Sequence, residues 1–146
     1  MHPDELKAYL YQAIPISQSL SVDVLTADHN SVLLAAPLAP NINHSGTFFG
    51  GSASTVCILA AWSLVYTKLV QDAQFAELVI MSNNMHYEKP IHGDVQARAI
   101  LHAPDDWPAF IKCLMRRHKA RIKVDVCLSC AEQQVGLFSG DFVATN

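Results

Sequence analysis

The sequence predicts an α+β fold in which a curved antiparallel sheet wraps around one long, central, apolar helix. Ser52–Val70 is the longest apolar segment of the 146-residue chain, and apolar side chains surround most of the helix it would form. Such a helix must be enclosed on most sides. Several segments after it alternate apolar and polar residues, as strands with one buried face do. A chain of this length predicts one domain with one core, spanning residues 1–146.

The segments before the central helix are a short helix, two strands and a loop. Pro3–Ala13 has a proline in its first turn, followed by two acidic residues that complement the positive helix end. Ser21–Ala27 and Ser31–Pro37 have strand composition, and Asp28-His29-Asn30 between them is typical of a turn. Asn41–Gly51 is a polar, glycine-containing loop that leads directly into the helix.

After the central helix the sequence predicts an antiparallel set of strands. The predicted strands are Leu78–Glu88, Asp94–His102, Ala120–Ala131 and Val135–Ala144. Lys89–Gly93 joins the first two, and Trp107–His118 fits either a short helix or the start of a strand. One sheet wrapped on one helix leaves edges and apolar surface exposed, so we expect a two-fold homodimer.

Composition favours an ordered cytoplasmic protein. About half of the chain is apolar, 16% is charged, and the net charge of −3 is too small to indicate a partner. The N-terminus lacks the basic start and apolar run of a secretory signal. The uncharged stretch Ala53–Tyr66 is shorter than a membrane span, so we expect no membrane partner.

The four cysteines predict reduced thiols rather than a disulfide, redox or zinc site. Cys127 and Cys130 match C-x-x-C but lie in strand-like sequence, where residues three apart point to opposite faces. Cys57 and Cys113 supply no second ligand pair at a suitable spacing. We therefore expect no metal and no cofactor.

Six of the ten lysines and arginines form a basic run between positions 112 and 123. They are Lys112, Arg116, Arg117, Lys119, Arg121 and Lys123. The run is either a solvated face or a docking surface for an anion, such as the phosphates of coenzyme A or an acidic carrier protein. Nucleic acid is disfavoured, because no aromatic residues are interleaved and the overall charge is negative.

The Asn41–Gly51 loop is the strongest functional signal. A loop that feeds a buried helix leaves free backbone N–H groups at the helix N-terminus, where they can bind a developing negative charge. Asn43, His44, Thr47 and Ser52 place side-chain donors and acceptors beside those groups. The segment therefore predicts an oxyanion site and chemistry at a carbonyl.

The chain also resembles a known family. Its element order, the Gly50-Gly51 pair and the Tyr87–Pro90, Gly93-Asp94 and Ala97–Ala99 hairpin pattern resemble the hotdog fold of acyl-thioester enzymes. Asn41–Ser52 is closer still to the thioesterase group known as the YiiD C-terminal domain. The resemblance implies an acyl-CoA or acyl-carrier-protein substrate, a homodimer or dimer of dimers, and active sites at the subunit interface. It also implies a possible decarboxylation of malonyl-carrier protein at the start of fatty-acid synthesis.

Two departures from the common hotdog thioesterases affect the expected chemistry. Phe49 replaces the usual histidine before the glycine pair, and Val56–Leu59 occupies the helical region that usually carries an acid. The first acid after the loop is Asp72, which we expect beyond the helix. His44 and His86 are then the candidate bases, although each could instead have a structural role.

Three functions follow as alternatives. A thioesterase is the first, with Asn43, His44, Thr47 and His86 as candidate catalytic residues. The second is a malonyl-thioester decarboxylase, which needs no base for bond breaking and relies on Asn43 and on backbone groups of the Gly50–Ser52 segment (Gly50, Gly51 and Ser52). The third is a non-catalytic acyl-thioester binding module. Asn43 could also be only a turn or helix-cap residue.

Overall fold

The computed structural model describes residues 1–146, which form one curved six-stranded sheet and four α-helices. The helices are α1 (Pro3–Ala13), α2 (Ile16–Ser19), α3 (Gly50–Gln71) and α4 (Asp106–Arg117). The strands are β1 (Asp23–Ala27), β2 (Val32–Ala36), β3 (Glu77–Tyr87), β4 (Val95–Leu101), β5 (Lys119–Cys130) and β6 (Gln133–Thr145). A 3₁₀ turn covers Ala39–Asn41. The sheet order is β1-β2-β4-β5-β6-β3, and every neighbouring pair is antiparallel.

Helix α3 is the central helix that the sequence predicts. It contacts strands β2 to β6, and it contributes fully buried residues along its length, from Ala53 to Leu64 and Val65. It is long and apolar enough to cross a membrane, but 67% of its most apolar window is buried inside the protein. Its hydropathy is therefore that of a core helix, and the predicted α+β fold is confirmed.

The elements before α3 follow the prediction closely. Helix α1 begins and ends at the predicted residues, and His2 and Glu5 form a reciprocal capping box at its start. The β1–β2 turn is held by the Asp28 carboxylate, which accepts the N–H groups of Asn30 and Ser31 at 2.8 and 2.9 Å. These two bonds lower the pKa of Asp28.

The expected hairpin between Tyr87 and Ala99 is wrong. Strand β3 pairs only with β6 at the sheet edge, whereas β4 lies between β2 and β5. The seven residues between them, 88–94, therefore cross from one side of the sheet to the other. Ile91 in this crossover is buried, and its carbonyl accepts the N–H of Phe48 at 2.9 Å. The crossover thus supports the Asn41–Gly51 loop.

The ambiguous segment 107–118 is a helix for most of its length. Trp107, Phe110 and Leu114 are buried at helical spacing, which gives α4 one apolar face. His118 ends the helix in the left-handed conformation, with φ of 60°, and β5 starts at the next residue. The basic run is therefore divided between the end of α4 and the start of β5.

Candidate active site at the N-terminus of helix α3

Asn43 organises the loop before α3. Its side-chain oxygen accepts the backbone N–H groups of Ser45 and Thr47 at 2.9 and 3.0 Å. Its Nδ2 donates to the Thr47 hydroxyl at 2.8 Å, and its backbone N–H donates to the Thr47 carbonyl at 2.8 Å. Gly46 permits the turn with φ of +80°. Asn43 and Thr47 are thus brought together, and one of the two Nδ2 hydrogens stays unengaged within the chain.

The two ends of the loop are fixed to the protein core. Asn41 is buried, and its amide donates to the carbonyls of Leu20 and Pro37 at 2.9 and 2.8 Å. The Asn41 carbonyl accepts the N–H of Phe49 at 2.7 Å. His44 lies at the exposed tip of the same loop. The loop therefore holds Asn43 and Thr47 in place and presents His44 to solvent.

The N-terminus of α3 has free backbone donors. Phe49 is the extended residue before the helix, and no side chain caps the helix start. The first helical bond runs from the Ala53 N–H to the Phe49 carbonyl at 3.0 Å. The N–H groups of Gly50, Gly51 and Ser52 are therefore left without helical acceptors, beside the Asn43 loop. Such a group of donors binds anions and oxyanions.

Gly51 leaves room for the side chain of Phe49. A Cβ atom at Gly51 would lie 2.5 Å from the Phe49 ring, closer than any side chain allows. The Phe49 ring itself is about half exposed. The absence of a side chain at Gly51 thus lets an aromatic ring lie directly over the start of the helix.

Tyr87 belongs to this site, although the sequence singled it out only as part of a family pattern. Its hydroxyl donates to the Gly50 carbonyl at 2.8 Å, and its ring lies 3.5 Å from the position of a Gly50 Cβ. Tyr87 is the last residue of edge strand β3, far from the loop in sequence. Only the closing of the sheet around α3 brings them together, so no local pattern predicts the contact.

His86 lies next to Tyr87 but on the opposite face of the sheet. It is in register with Leu137 and Cys127, whereas the neighbouring Phe138 and Val126 are buried toward α3. It lines an outer cavity of about 500 Å³ together with Arg98 and Asp125. Within one chain the structure therefore does not bring His86 to Asn43, His44 and Thr47.

No carboxylate or reactive thiol lies on the buried stretch of α3. Val56 and Cys57 are fully buried, and burial raises the pKa of the Cys57 thiol to about 12, so this thiol stays protonated. Asp72 follows the last residue of α3, as expected, and its carboxylate accepts the Trp107 indole N–H at 2.7 Å. The four cysteines are free thiols.

The basic run gathers at the other end of the sheet. Arg117, Lys119 and Arg121 line a cavity of about 500 Å³ with Met81 and Val143, and no ion pair involves these three cations. Arg116 is exposed at the end of α4. Lys123 forms a surface ion pair with Asp141 at 3.7 Å. This basic surface (Arg116, Arg117, Lys119, Arg121 and Lys123) lies near the start of β3, whereas the Asn43 loop contacts its end.

A six-stranded curved antiparallel sheet around one long helix is the hotdog fold of thioesterase structures. The chain belongs to the YiiD_C family, whose description is "Putative thioesterase (yiiD_Cterm)" and whose family model matches residues 3–146. The resemblance to this family is thereby confirmed.

Solved structures agree on the fold. A protein of unknown function from Chlorobaculum tepidum TLS is 27% identical, with a TM-score of 0.92 over 99% of this chain and 94% of that one. The "putative thioesterase" from Shewanella oneidensis is 24% identical, with a TM-score of 0.85 over 99% and 97% of the two chains. A "probable thioesterase" from Pseudomonas aeruginosa is 20% identical, with a TM-score of 0.81 over 99% and 96%.

Proposed function

We propose that this protein is a cytoplasmic thioesterase that hydrolyses acyl-CoA or acyl-carrier-protein thioesters at the N-terminus of α3. The observation that carries this proposal is the set of free N–H groups at Gly50, Gly51 and Ser52 beside the Asn43–Thr47 pair. Attack on a thioester places negative charge on the carbonyl oxygen. Each donor aimed at that oxygen contributes about 3 kcal/mol to lowering the barrier.

In this proposal the start of α3 supplies backbone donors to the oxyanion, and the loop supplies a further donor and the base. The thioester oxygen receives the backbone N–H groups of Gly51 and Ser52, and the unengaged Nδ2 hydrogen of Asn43 adds a third donor. Thr47 holds the Asn43 amide through its hydroxyl. His44 is the imidazole of this loop, and it accepts the proton of the attacking water. Water addition gives a tetrahedral intermediate, and when its C–S bond breaks, His44 returns the proton to the leaving sulfur, which yields the carboxylic acid and the free thiol.

Decarboxylation of a malonyl thioester is the second candidate, and the uncharged interior of α3 favours it. Loss of CO₂ moves the bonding electrons into an enolate, whose charge falls on the thioester oxygen, and protonation at carbon then yields an acetyl thioester. This reaction requires the same donors but no base for the bond-breaking step. Val56 and Cys57 in place of a helix carboxylate are therefore compatible with it.

For both candidate functions, the protein forms a two-fold dimer in which the β3 strands of the two subunits pair. Strand β3 is an 11-residue edge strand, and its exposed side chains include Val79 at 61% and Met81 at 53%. Antiparallel pairing of two β3 strands would cover this edge. It would also place the start of one β3, with the basic surface beside it, near Tyr87 and the loop of the partner. The phosphates of coenzyme A, or an acidic carrier, then bind the basic surface of one subunit while the thioester enters the site of the other.

Product identity tests the proposal. Purified protein is given acetyl, octanoyl and malonyl thioesters, on coenzyme A and on carrier protein, with a thiol trap and mass spectrometry of the carrier. Rapid thiol release from acyl thioesters supports the thioesterase. Accumulation of acetyl-carrier from malonyl-carrier without thiol release supports the decarboxylase and contradicts hydrolysis. Stoichiometric binding without any product contradicts both and indicates a binding module.

A further inference from the structure

A third cavity, distinct from those lined by His86 and by Arg117, lies at the opposite end of α3 from the candidate active site. It measures about 440 Å³, within the range of small-molecule sites. The residues that matter for its chemistry are His29, Asn30, Lys68, Leu101, Trp107 and Pro108. Lys68 is 17 residues after Gly51 on the same helix, or about 26 Å along its axis. The cavity is therefore separate from the Asn43 loop within the chain.

Lys68 is a buried cation with few partners. Only 6% of the residue is exposed, and its Nζ donates one hydrogen bond, to the His29 carbonyl at 3.2 Å. The Nζ also lies 4.7 Å from the centre of the Trp107 ring. No carboxylate lies within ion-pair distance. An ammonium carries three donors, so two of them are unmatched within the chain.

The nearest acid does not complete the pairing. Asp72, one turn after Lys68, is held by the Trp107 indole at 2.7 Å. Burial lowers the pKa of Lys68, and the charge of Asp72 only partly opposes this effect. A buried charge without a hydrogen-bonded counter-ion is costly, so an anion that entered the cavity would gain a strong partner there.

The other residues that line the cavity indicate what kind of group would be attached to the anion. Leu101, Pro104, Trp107 and Pro108 give the cavity an apolar and stiff wall, in which the Trp107 ring lies against the ammonium. His29 and Asn30 add polar groups to the lining, and the His29 Nδ1 is hydrogen-bonded to the Gln71 side chain at 2.8 Å. A ligand that satisfies both parts has an anionic head and an apolar body.

We propose that this cavity is a binding site for a small organic carboxylate, with the carboxylate on Lys68 and the apolar body against Trp107 and Pro108. The site does not depend on the proposed function, because it shares no residue with the α3 N-terminus. A carboxylate fits better than inorganic phosphate, because most of the lining is apolar and one ammonium supplies the charge.

Nuclear magnetic resonance of the two indole N–H groups tests the site. The protein contains two tryptophans, of which Trp107 lines the cavity and Trp62 donates to the Leu78 carbonyl elsewhere. The ¹⁵N-labelled protein is titrated with hexanoate, and with hexanamide as the uncharged analogue. We expect hexanoate to shift the Trp107 signal in a saturable manner, to leave Trp62 unchanged, and to bind at least about tenfold more tightly than hexanamide.

Two variants complete the test. Lys68→Met keeps the length of the side chain and removes the charge, and we expect hexanoate to bind it at least about tenfold more weakly while the protein stays folded. Lys112→Met, at an exposed position on α4, is the matched control and should bind normally. An unshifted Trp107 signal at millimolar hexanoate overturns the proposal. So does equal binding by Lys68→Met, the result expected if hexanoate occupies only the thioester site.

Discussion

The two ends of helix α3 differ in whether side chains complement the charge of the helix dipole. At the N-terminus, Gly50, Gly51 and Ser52 have no capping side chain and no acid in the first turn. At the C-terminus, Lys68 lies in the last turn, and Asp72 accepts the Trp107 indole N–H. The first arrangement leaves the positive end of the helix dipole unmatched, whereas the second complements the negative end. A side-chain cap normally stabilises a helix N-terminus by about 1 kcal/mol. Because α3 has no such cap, its N-terminal N–H groups are available to bind a ligand.

The two ends of α3 also differ in how far their polar groups are exposed. The Asn43 loop has a fixed backbone, yet it leaves His44 and the helix donors accessible. The other end is covered by α4, which buries Trp107 over the Lys68 ammonium. We therefore expect substitutions at the N-terminus to change turnover, and those at the C-terminus to change stability or carboxylate binding without changing turnover.

The largest expected effect is at Asn43. Asn43→Ala should lower turnover by about 10²-fold or more, because it removes both the loop bonds and a proposed oxyanion donor. Steady-state kinetics with the best thioester of the panel measure the loss. His44→Ala and Thr47→Ala should have smaller or comparable effects.

Asn43→Asp separates the two roles of this side chain. The carboxylate retains an oxygen for the N–H groups of Ser45 and Thr47 but has no hydrogen to donate. If Asn43 is an oxyanion donor, this variant keeps the native melting temperature and loses activity as Asn43→Ala does. Near-normal turnover in Asn43→Asp would assign Asn43 to the loop structure alone.

Charge reversal on the basic surface is expected to act on substrate binding. In the double variant Arg117→Glu, Arg121→Glu, KM for a CoA or carrier substrate should rise about tenfold or more with little change in kcat, and the wild-type KM should rise with salt. The single change Lys7→Glu, remote from this surface, is the control. Kinetics that do not respond to salt would make the basic run a solvated face.

Gly51→Ala tests whether the space at the N-terminus of α3 matters for catalysis. Alanine normally stabilises a helix relative to glycine by about 1 kcal/mol, yet here its Cβ must displace the Phe49 ring. We expect a several-fold loss of turnover, with recovery in the double variant Gly51→Ala, Phe49→Ala. Unchanged activity in the single variant would show that the Phe49 ring does not shape the site.

The smallest effect on catalysis is expected at Trp107. Trp107→Phe removes the indole bond to Asp72 and should lower the free energy of unfolding by about 1 kcal/mol, while kcat stays within about twofold of wild type. Urea unfolding and the thioester assay measure the two quantities. A large loss of turnover here would contradict the assignment of catalysis to the N-terminal end of α3 alone.

Much of the fold follows from local patterns. Apolar side chains cover most of the circumference of α3, so a sheet around it was predictable. The alternation of Val95, Ala97, Ala99 and Leu101 predicted one buried face of β4, which the structure confirms. The end of α1 and the turn at Asp28 were also predictable, because proline, acidic and turn residues act over a few positions. The loop was recognisable because its polar residues adjoin the longest apolar segment.

The sequence by itself determined the helical core, the strand faces and the position of the loop, because these depend on interactions between near neighbours. Only the tertiary structure decided which strands are adjacent, and it separated β3 from β4 by inserting the β5–β6 hairpin next to β3. It also placed Tyr87 at Gly50, turned His86 to the outer face, and buried Lys68 beneath Trp107. These contacts join residues far apart in the chain, and their register follows from the packing of the sheet on α3, which no local pattern encodes.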